Sequence, residues 1–367
     1  MPAGNERIYG LDILRALAIF FVVLGHGNNL LPIKISEFLN YFVFDGVSIF
    51  FVLSGYLIGG ILLRQCITKG LSLKVIRQFW VRRWFRTLPN YFLILTVLCI
   101  LNNFLGNNFV FGDVSSYFFF SQNLFNVHPN FFPEAWSLSI EEWFYILLPI
   151  FVFLFSLFFK SYQKGVIILA LLLIVAALVY RYYVFIINPP NGVQMFDSYF
   201  RKRVFTRLDS LMYGVVGAYC VTFYEKIYIR YKNILFLFGL ILFIASHFFL
   251  SKLLLVTSVY YCVLSFSLTS IATLALLPLL SSIKAGKGFI YRLLTFMSII
   301  SYSMYLVNLS LIQDWILSWI NFDIWVHNSY WVVTLRYLSY WFLVFLISAF
   351  LYKYFESPMT SLREKFK

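Results

Sequence analysis

Long apolar runs separated by short polar stretches dominate this chain. Ten of them reach or approach the roughly 20 apolar residues that a membrane span needs. They cover residues 9–29, 41–63, 86–105, 138–158, 165–187, 207–223, 233–250, 255–280, 294–318 and 329–352. Hydrocarbon offers backbone groups no water partner, so spanning segments are helices or a closed barrel. These runs are continuous rather than short alternations, which predicts helices. The expected fold is all-α, a polytopic membrane protein of about ten transmembrane helices. No internal repeat is apparent, and the last run ends about fifteen residues before the C-terminus. The expectation is therefore one membrane domain over residues 1–367 with no appended soluble domain.

Composition agrees with this pattern and narrows the function. Hydrophobic residues make up 61% of the 367 positions and charged residues 12%, whereas soluble domains carry about 25% charged residues. Mean hydropathy is +0.82. A soluble enzyme, a disordered chain, a collagen and a disulfide-stapled module are excluded, and the lipid bilayer is the first partner. The 29 Lys and Arg outnumber the 15 Asp and Glu. With the N-terminus placed inside, 21 of those 29 fall on the inner side, so both termini are expected in the cytoplasm. A basic membrane face, rather than a nucleic-acid partner, accounts for the charge. The segment 188–206 is the exception, an outer loop carrying Arg201, Lys202 and Arg203. Cys66, Cys99, Cys220 and Cys262 lie in or beside apolar runs without short spacing and read as small apolar residues with no disulfide or metal role. No cleavable signal peptide is evident.

Charges at membrane depth cost roughly 2.5–3.5 kcal/mol each and are retained mainly for function. The first run carries Asp12, Arg15 and His26. Arg15 and His26 are eleven residues apart, about three helical turns, so they share one face at a separation of about 16 Å. Asp12 lies one turn before Arg15 on the same stripe. Two readings stand: an interfacial Asp12–Arg15 pair with His26 capping the helix, or a catalytic histidine with an arginine on its face. The second run, Gly46-Val-Ser-Ile-Phe-Phe-Val-Leu-Ser-Gly55, has small residues that let a neighbouring helix approach closely. Arg82, Arg83 and Arg86, interleaved with Trp84 and Phe85, either anchor the inner mouth of span three or hold phosphates bidentately. Trp136-Ser-Leu-Ser-Ile-Glu141-Glu142 opens span four, with Ser137 as the expected N-cap. The two carboxylates project about 100° apart, so only one leads into a given cavity. Arg207-Leu-Asp209, Ser301-Tyr-Ser-Met-Tyr305 and Phe355-Glu-Ser-Pro358 are weaker signals of the same kind.

Taken in order over nearly the whole chain, these segments resemble acyltransferase family 3, the membrane proteins that include bacterial O-antigen O-acetyltransferases. Relatives often show Tyr-Leu-x-His in span nine, where this chain reads Tyr305-Leu-Val-Asn308. The resemblance implies ten core helices in the bacterial inner membrane and an acyl-CoA donor entering from the cytoplasm. It also implies transfer of a short acyl group to a hydroxyl, commonly on a surface glycan or a lipid-linked sugar. His26 and Arg15 would be its core catalytic residues. His26 would deprotonate the acceptor or carry the acyl group briefly, since imidazole suits proton transfer near neutrality. Arg15 would hold donor carbonyl or phosphate oxygens, oriented by Asp12. Arg82, Arg83 and Arg86 would bind the coenzyme's phosphates. Trp136, Ser137, Glu141, Glu142, Arg207 and Asp209 would shape the acceptor site, with no metal. The competing class is a transporter or glycan flippase, which ten helices with buried charge would also suit. Transporters often carry inverted repeats, and none is found.

Overall fold

The computed structural model describes residues 7–105, 111–250, 255–320, 322 and 329–366. The apolar runs form helices α1 (Tyr9–Gly27), α2 (Gly46–Lys69), α3 (Leu73–Leu105), α4 (Ala135–Phe159) and α5 (Tyr162–Ile187). These are followed by α6 (Leu208–Phe223), α7 (Lys232–Ile244), α8 (Ser265–Ser282), α9 (Gly288–Val307) and α10 (Ser329–Leu351). Among the described residues, eight helical stretches are long and apolar enough to cross a membrane, and two shorter apolar ones, Leu208–Phe223 and Lys232–Phe248, take the sixth and seventh places. The chain is a polytopic, all-α membrane protein.

Helix ends depart from the apolar runs where polar residues find partners. The third helix begins at Leu73, not near 86, so Arg82, Arg83 and Arg86 lie inside a helix rather than at its mouth. A short helix, Ile33–Asn40, separates α1 from α2, which starts at Gly46 because Asp45 Oδ1 accepts the Ser48 N–H at 3.2 Å. The fourth helix starts at Ala135, so Ser137 is in its first turn and does not cap it. Its hydroxyl instead meets the Tyr305 hydroxyl at 2.6 Å. After Val307 the α-pattern of α9 widens into a π-helical stretch, Asn308–Ile316. Glu134 supports this change: Oε1 accepts the Leu309 and Ser310 N–H groups at 3.1 and 2.8 Å, and Oε2 accepts the Ser310 hydroxyl.

Close approach of backbones sets the centre of the bundle, where α2 crosses α6. A Cβ on Gly55 would lie 1.9 Å from the Leu211 carbonyl oxygen, and one on Gly214 would lie 2.1 Å from the Val52 oxygen. Both obstacles are main chain, so a side chain at either position forces the helices apart. Gly55→Ala is expected to cost about 1–3 kcal/mol. The measurement is a lowered thermal unfolding midpoint in detergent, with Gly192→Ala, whose Cβ would meet nothing within 4 Å, as the unchanged control.

Candidate functional site

One cavity is lined by polar side chains from five of the membrane-spanning helices. Its charged and hydroxylic lining comes from α1 (Arg15), α2 (Ser54), α3 (Arg83, Arg86, Thr87), α4 (Ser137, Glu141, Tyr145) and α9 (Ser301, Tyr302, Tyr305). Phe50, Phe51 and Leu57 form an apolar wall. Counted out to its open mouth, the void is about 780 Å³.

Three guanidiniums converge here. Arg15 forms no hydrogen bond or ion pair among the described residues, and the charges nearest it include Arg86, Asp12, Arg7 and Arg83. The Arg83 guanidinium lies 6.0 Å from the centre of the Tyr145 ring. Facing them is one lining carboxylate, Glu141, which accepts the Tyr145 hydroxyl proton. Since that proton is used, Ser54 Oγ donates to the Tyr145 oxygen, 2.9 Å away. Among the described lining residues, three cations against one anion leave an excess that an anionic ligand would neutralise.

Several residues singled out from sequence lie elsewhere. Asp12 does not orient Arg15. It accepts from Arg7 at 2.7 and 3.0 Å and from Ser298 Oγ at 2.7 Å, so its lone pairs are taken by a residue five positions earlier and by α9. Arg82 is exposed and does not line the cavity, because it is one residue, about 100° of helix, away from Arg83. Glu142 likewise turns from the cavity and accepts the Thr87 hydroxyl at 2.7 Å. Ser137 and Glu141 share the arginine cavity rather than forming a separate acceptor pocket. Glu141 stands about 9 Å below the start of α4.

Arg207 and Asp209 line neither this cavity nor the second hollow described below; both are fully buried. Asp209 pairs with Arg181 at 2.8 Å and accepts from Ser267 at 3.0 Å. Arg181 also donates to the Val263 and Thr206 carbonyls. Arg181 is therefore a structural partner within α5. Arg207 stacks over Phe266 at 3.9 Å and donates to Ser48 at 2.5 Å. Removing one partner from such a cluster would strand the other in hydrocarbon.

His26 lies in the last turn of α1, beyond the Ser137–Tyr305 end of the cavity, and is not among its lining residues. Its Nδ1 meets Asn308 Oδ1 at 2.6 Å, and Asn308 is one turn past Tyr305. Arg201 and Lys202, in the segment before α6, are the charged groups that bear on it. Arg201 sits 5.8 Å over the Trp136 ring, and Trp136 meets Phe51 of the cavity wall edge-on at 6.1 Å.

Arg201 also lines a second hollow, with Phe44, Asp45, Phe196, His247, Tyr260 and neighbours. Burial would raise the Asp45 carboxyl, but Arg207 and Arg201 hold it below the usual carboxylate range. Sequence reasoning also missed a link below Arg15: Asn90 Nδ2 and Ser303 Oγ both donate to Glu356 Oε2, at 3.0 and 2.7 Å. The available signal was a carboxylate at the apolar end of the last span.

Comparison with known proteins completes the picture. The family match, an acyltransferase domain, covers residues 8–354. The peptidoglycan O-acetyltransferase OatA of Listeria monocytogenes is 35% identical over 172 residues, 43% of this chain and 26% of that protein. YrhL of Bacillus subtilis, provisionally named as a peptidoglycan O-acetyltransferase, is 36% identical over 189 residues, 47% of this chain and 28% of its own length. A Staphylococcus aureus protein, provisionally named as an O-acetyltransferase, is 30% identical over 226 residues, 58% of this chain and 34% of its own length. The chain thus spans about a third or less of the curated relatives it matches. No solved structure matches it. With a family match over nearly its whole length and an all-helical membrane fold, this chain belongs to acyltransferase family 3.

Proposed function

We propose that this protein moves an acetyl or other short acyl group from acyl-CoA to a hydroxyl of a surface glycan, working in the inner membrane of a bacterium. The observation that carries this reading is the convergence of Arg15, Arg83 and Arg86 on one cavity with Glu141 as its only lining carboxylate. Phosphate-bearing donors suit such a site, because guanidinium groups hold phosphate oxygens through paired charge-assisted hydrogen bonds. The strongly basic end of the bundle, with Arg7 and the adjoining ends of α2 and α3 (Arg64, Lys69, Lys74, Arg77), would face the cytoplasm where acyl-CoA is made.

Along α1, about 16 Å separates Arg15 from His26. An extended thiol arm bound at the arginines would bring its thioester toward Tyr305 and His26. There His26 accepts the acceptor hydroxyl's proton while that oxygen attacks the thioester carbon. The C–O bond forms, the C–S bond breaks, and the coenzyme leaves as a thiol carrying the proton back from the imidazolium. The acceptor would enter from the opposite side through the second hollow. Its aromatic faces suit the C–H faces of a sugar, and Asp45 and Arg201 suit its hydroxyls. O-antigen was the acceptor expected from the family resemblance. The relatives are named for peptidoglycan, so surface glycan is the class proposed here.

Arg86→Ala is expected to weaken acetyl-CoA binding by about 10–100-fold, the loss of a charged hydrogen-bonding group. Arg82→Ala should change it less than about twofold, since Arg82 is exposed. Titration of purified protein with acetyl-CoA reads both, and equal effects would refute the phosphate site. Mass spectrometry of surface glycans from cells with and without the gene identifies the acceptor.

A further inference from the structure

We propose that Asn308 is a positioning residue that locks the His26 imidazole in the Nδ1–H tautomer and leaves Nε2 as the atom that takes the acceptor's proton. This deepens the assignment of His26 as the base and rests on it.

The argument is one of donors and acceptors. A side-chain amide has two N–H donors on nitrogen and only acceptor capacity on oxygen. Asn308 Nδ2 donates to the Met304 carbonyl at 2.9 Å and to the Tyr305 carbonyl at 2.8 Å. Two carbonyls admit only the NH2 end, so the amide has one orientation, with Oδ1 toward His26. The contact from Oδ1 to His26 Nδ1 is 2.6 Å. Because Oδ1 only accepts, Nδ1 of a neutral ring must carry the hydrogen. The single proton of the Tyr340 hydroxyl is shared between the Val23 carbonyl at 3.0 Å and the same amide oxygen at 3.5 Å, which again fits an acceptor at that position. The lone pair of the neutral ring is then on Nε2, which makes no hydrogen bond among the described residues.

The surrounding backbone makes this arrangement rigid. Asn308 is fully buried and is the first residue of the π-helical stretch. Glu134 takes up the hydrogen-bonding groups of the next two residues, Leu309 and Ser310. A π-helical break at a functional residue places one side chain off the regular helical register. The amide therefore does for the imidazole what a carbonyl or carboxylate does behind a metal-bound or catalytic histidine, fixing tautomer and ring plane together. A histidine at this position would fill the same role, since a neutral ring can accept at one nitrogen.

Three variants and one spectrum test the proposal. Turnover is followed with acetyl-CoA as donor and total surface glycan from the source cells as acceptor. Asn308→Leu keeps the branched shape and the number of heavy atoms but cannot accept, and should lower kcat by about 10–100-fold, the range for lost orienting partners. KM for acetyl-CoA should stay within about twofold, as Asn308 lies outside the arginine cavity. Asn308→His should recover most of the lost turnover. Nitrogen NMR of 15N-histidine-labelled protein in nanodiscs, with His26→Ala to assign one of only four histidines, should show His26 as Nδ1–H in the wild type. An Asn308→Leu variant with full kcat, or a wild-type ring protonated at Nε2, would overturn it. The spectrum decides the matter if the Leu variant does not fold. If His26→Ala itself retains turnover, the base assignment fails; if His26 is essential while Asn308→Leu is fully active, only the positioning role fails.

Discussion

Replacing His26 with alanine is expected to lower acyl transfer about a thousandfold while the protein still inserts and folds. The magnitude follows from the general-base contribution, about 10²–10⁴-fold. Folding should survive because the ring is only half-buried and its one described hydrogen bond is to Asn308. His26→Gln sharpens the test. The glutamine amide can still donate to Asn308 Oδ1, so a structural role would be largely preserved, yet it has no basic nitrogen. Both variants should be equally inactive when free coenzyme thiol and acetylated glycan are measured together. A glutamine variant with more than about a tenth of wild-type turnover would show that His26 does no proton transfer, because a neutral amide cannot replace an imidazole base.

The sequence carried the architecture because lipid imposes it. A run of apolar residues long enough to span has one solution for its backbone, and the ten runs appear as helices in the expected order. Arg15 and Arg83 were also recoverable, since a guanidinium within apolar sequence must face protein or water. What could not be read was pairing between helices. Asp12 looked like the partner of Arg15 because one turn is the usual spacing for a helical pair. Arg7 and Ser298 reach it instead, and both approach from outside that stretch of helix. Glu141 and Glu142 were equivalent in sequence, and only the rotation of α4 against α3 directs one into the cavity and the other to Thr87. Arg207 and Asp209 looked like a substrate site because their partners, Ser48 and Arg181, come from other helices. A buried ion pair between helices leaves no local pattern.

The π-helical stretch was hidden for another reason. Asn308 to Ile316 is apolar enough to continue a regular helix, and the cause of its widening, Glu134, lies 174 residues earlier. Tyr305 and Asn308 would be three residues apart on any helix. Their division of labour, with Tyr305 in the cavity and Asn308 against His26, depends on where α1 and α4 dock.

Arg15→Gln is expected to reduce kcat/KM for acetyl-CoA by about 10²–10³-fold, similar to removing a principal charge-stabilising donor from an active site. The effect should exceed that of Arg86→Ala because Arg15 lies on α1, the helix that also carries His26, the proposed base. Arg15→Lys should fall between, since an ammonium keeps the charge but not the paired geometry. The companion measurement is stability. Arg15 makes no hydrogen bond or ion pair among the described residues, and Arg86, Arg7 and Arg83 repel it while Asp12, Glu141 and Glu356 act only from a distance, so removing its charge relieves an unpaired burial cost in the unliganded protein. The thermal midpoint of Arg15→Gln should therefore equal or exceed that of the wild type, while saturating acetyl-CoA should raise it less. A site built for an anion is strained without one, and activity and resting stability trade against each other there. If Arg15→Gln unfolds at lower temperature yet turns over normally, the guanidinium is holding helices together and the donor must bind elsewhere.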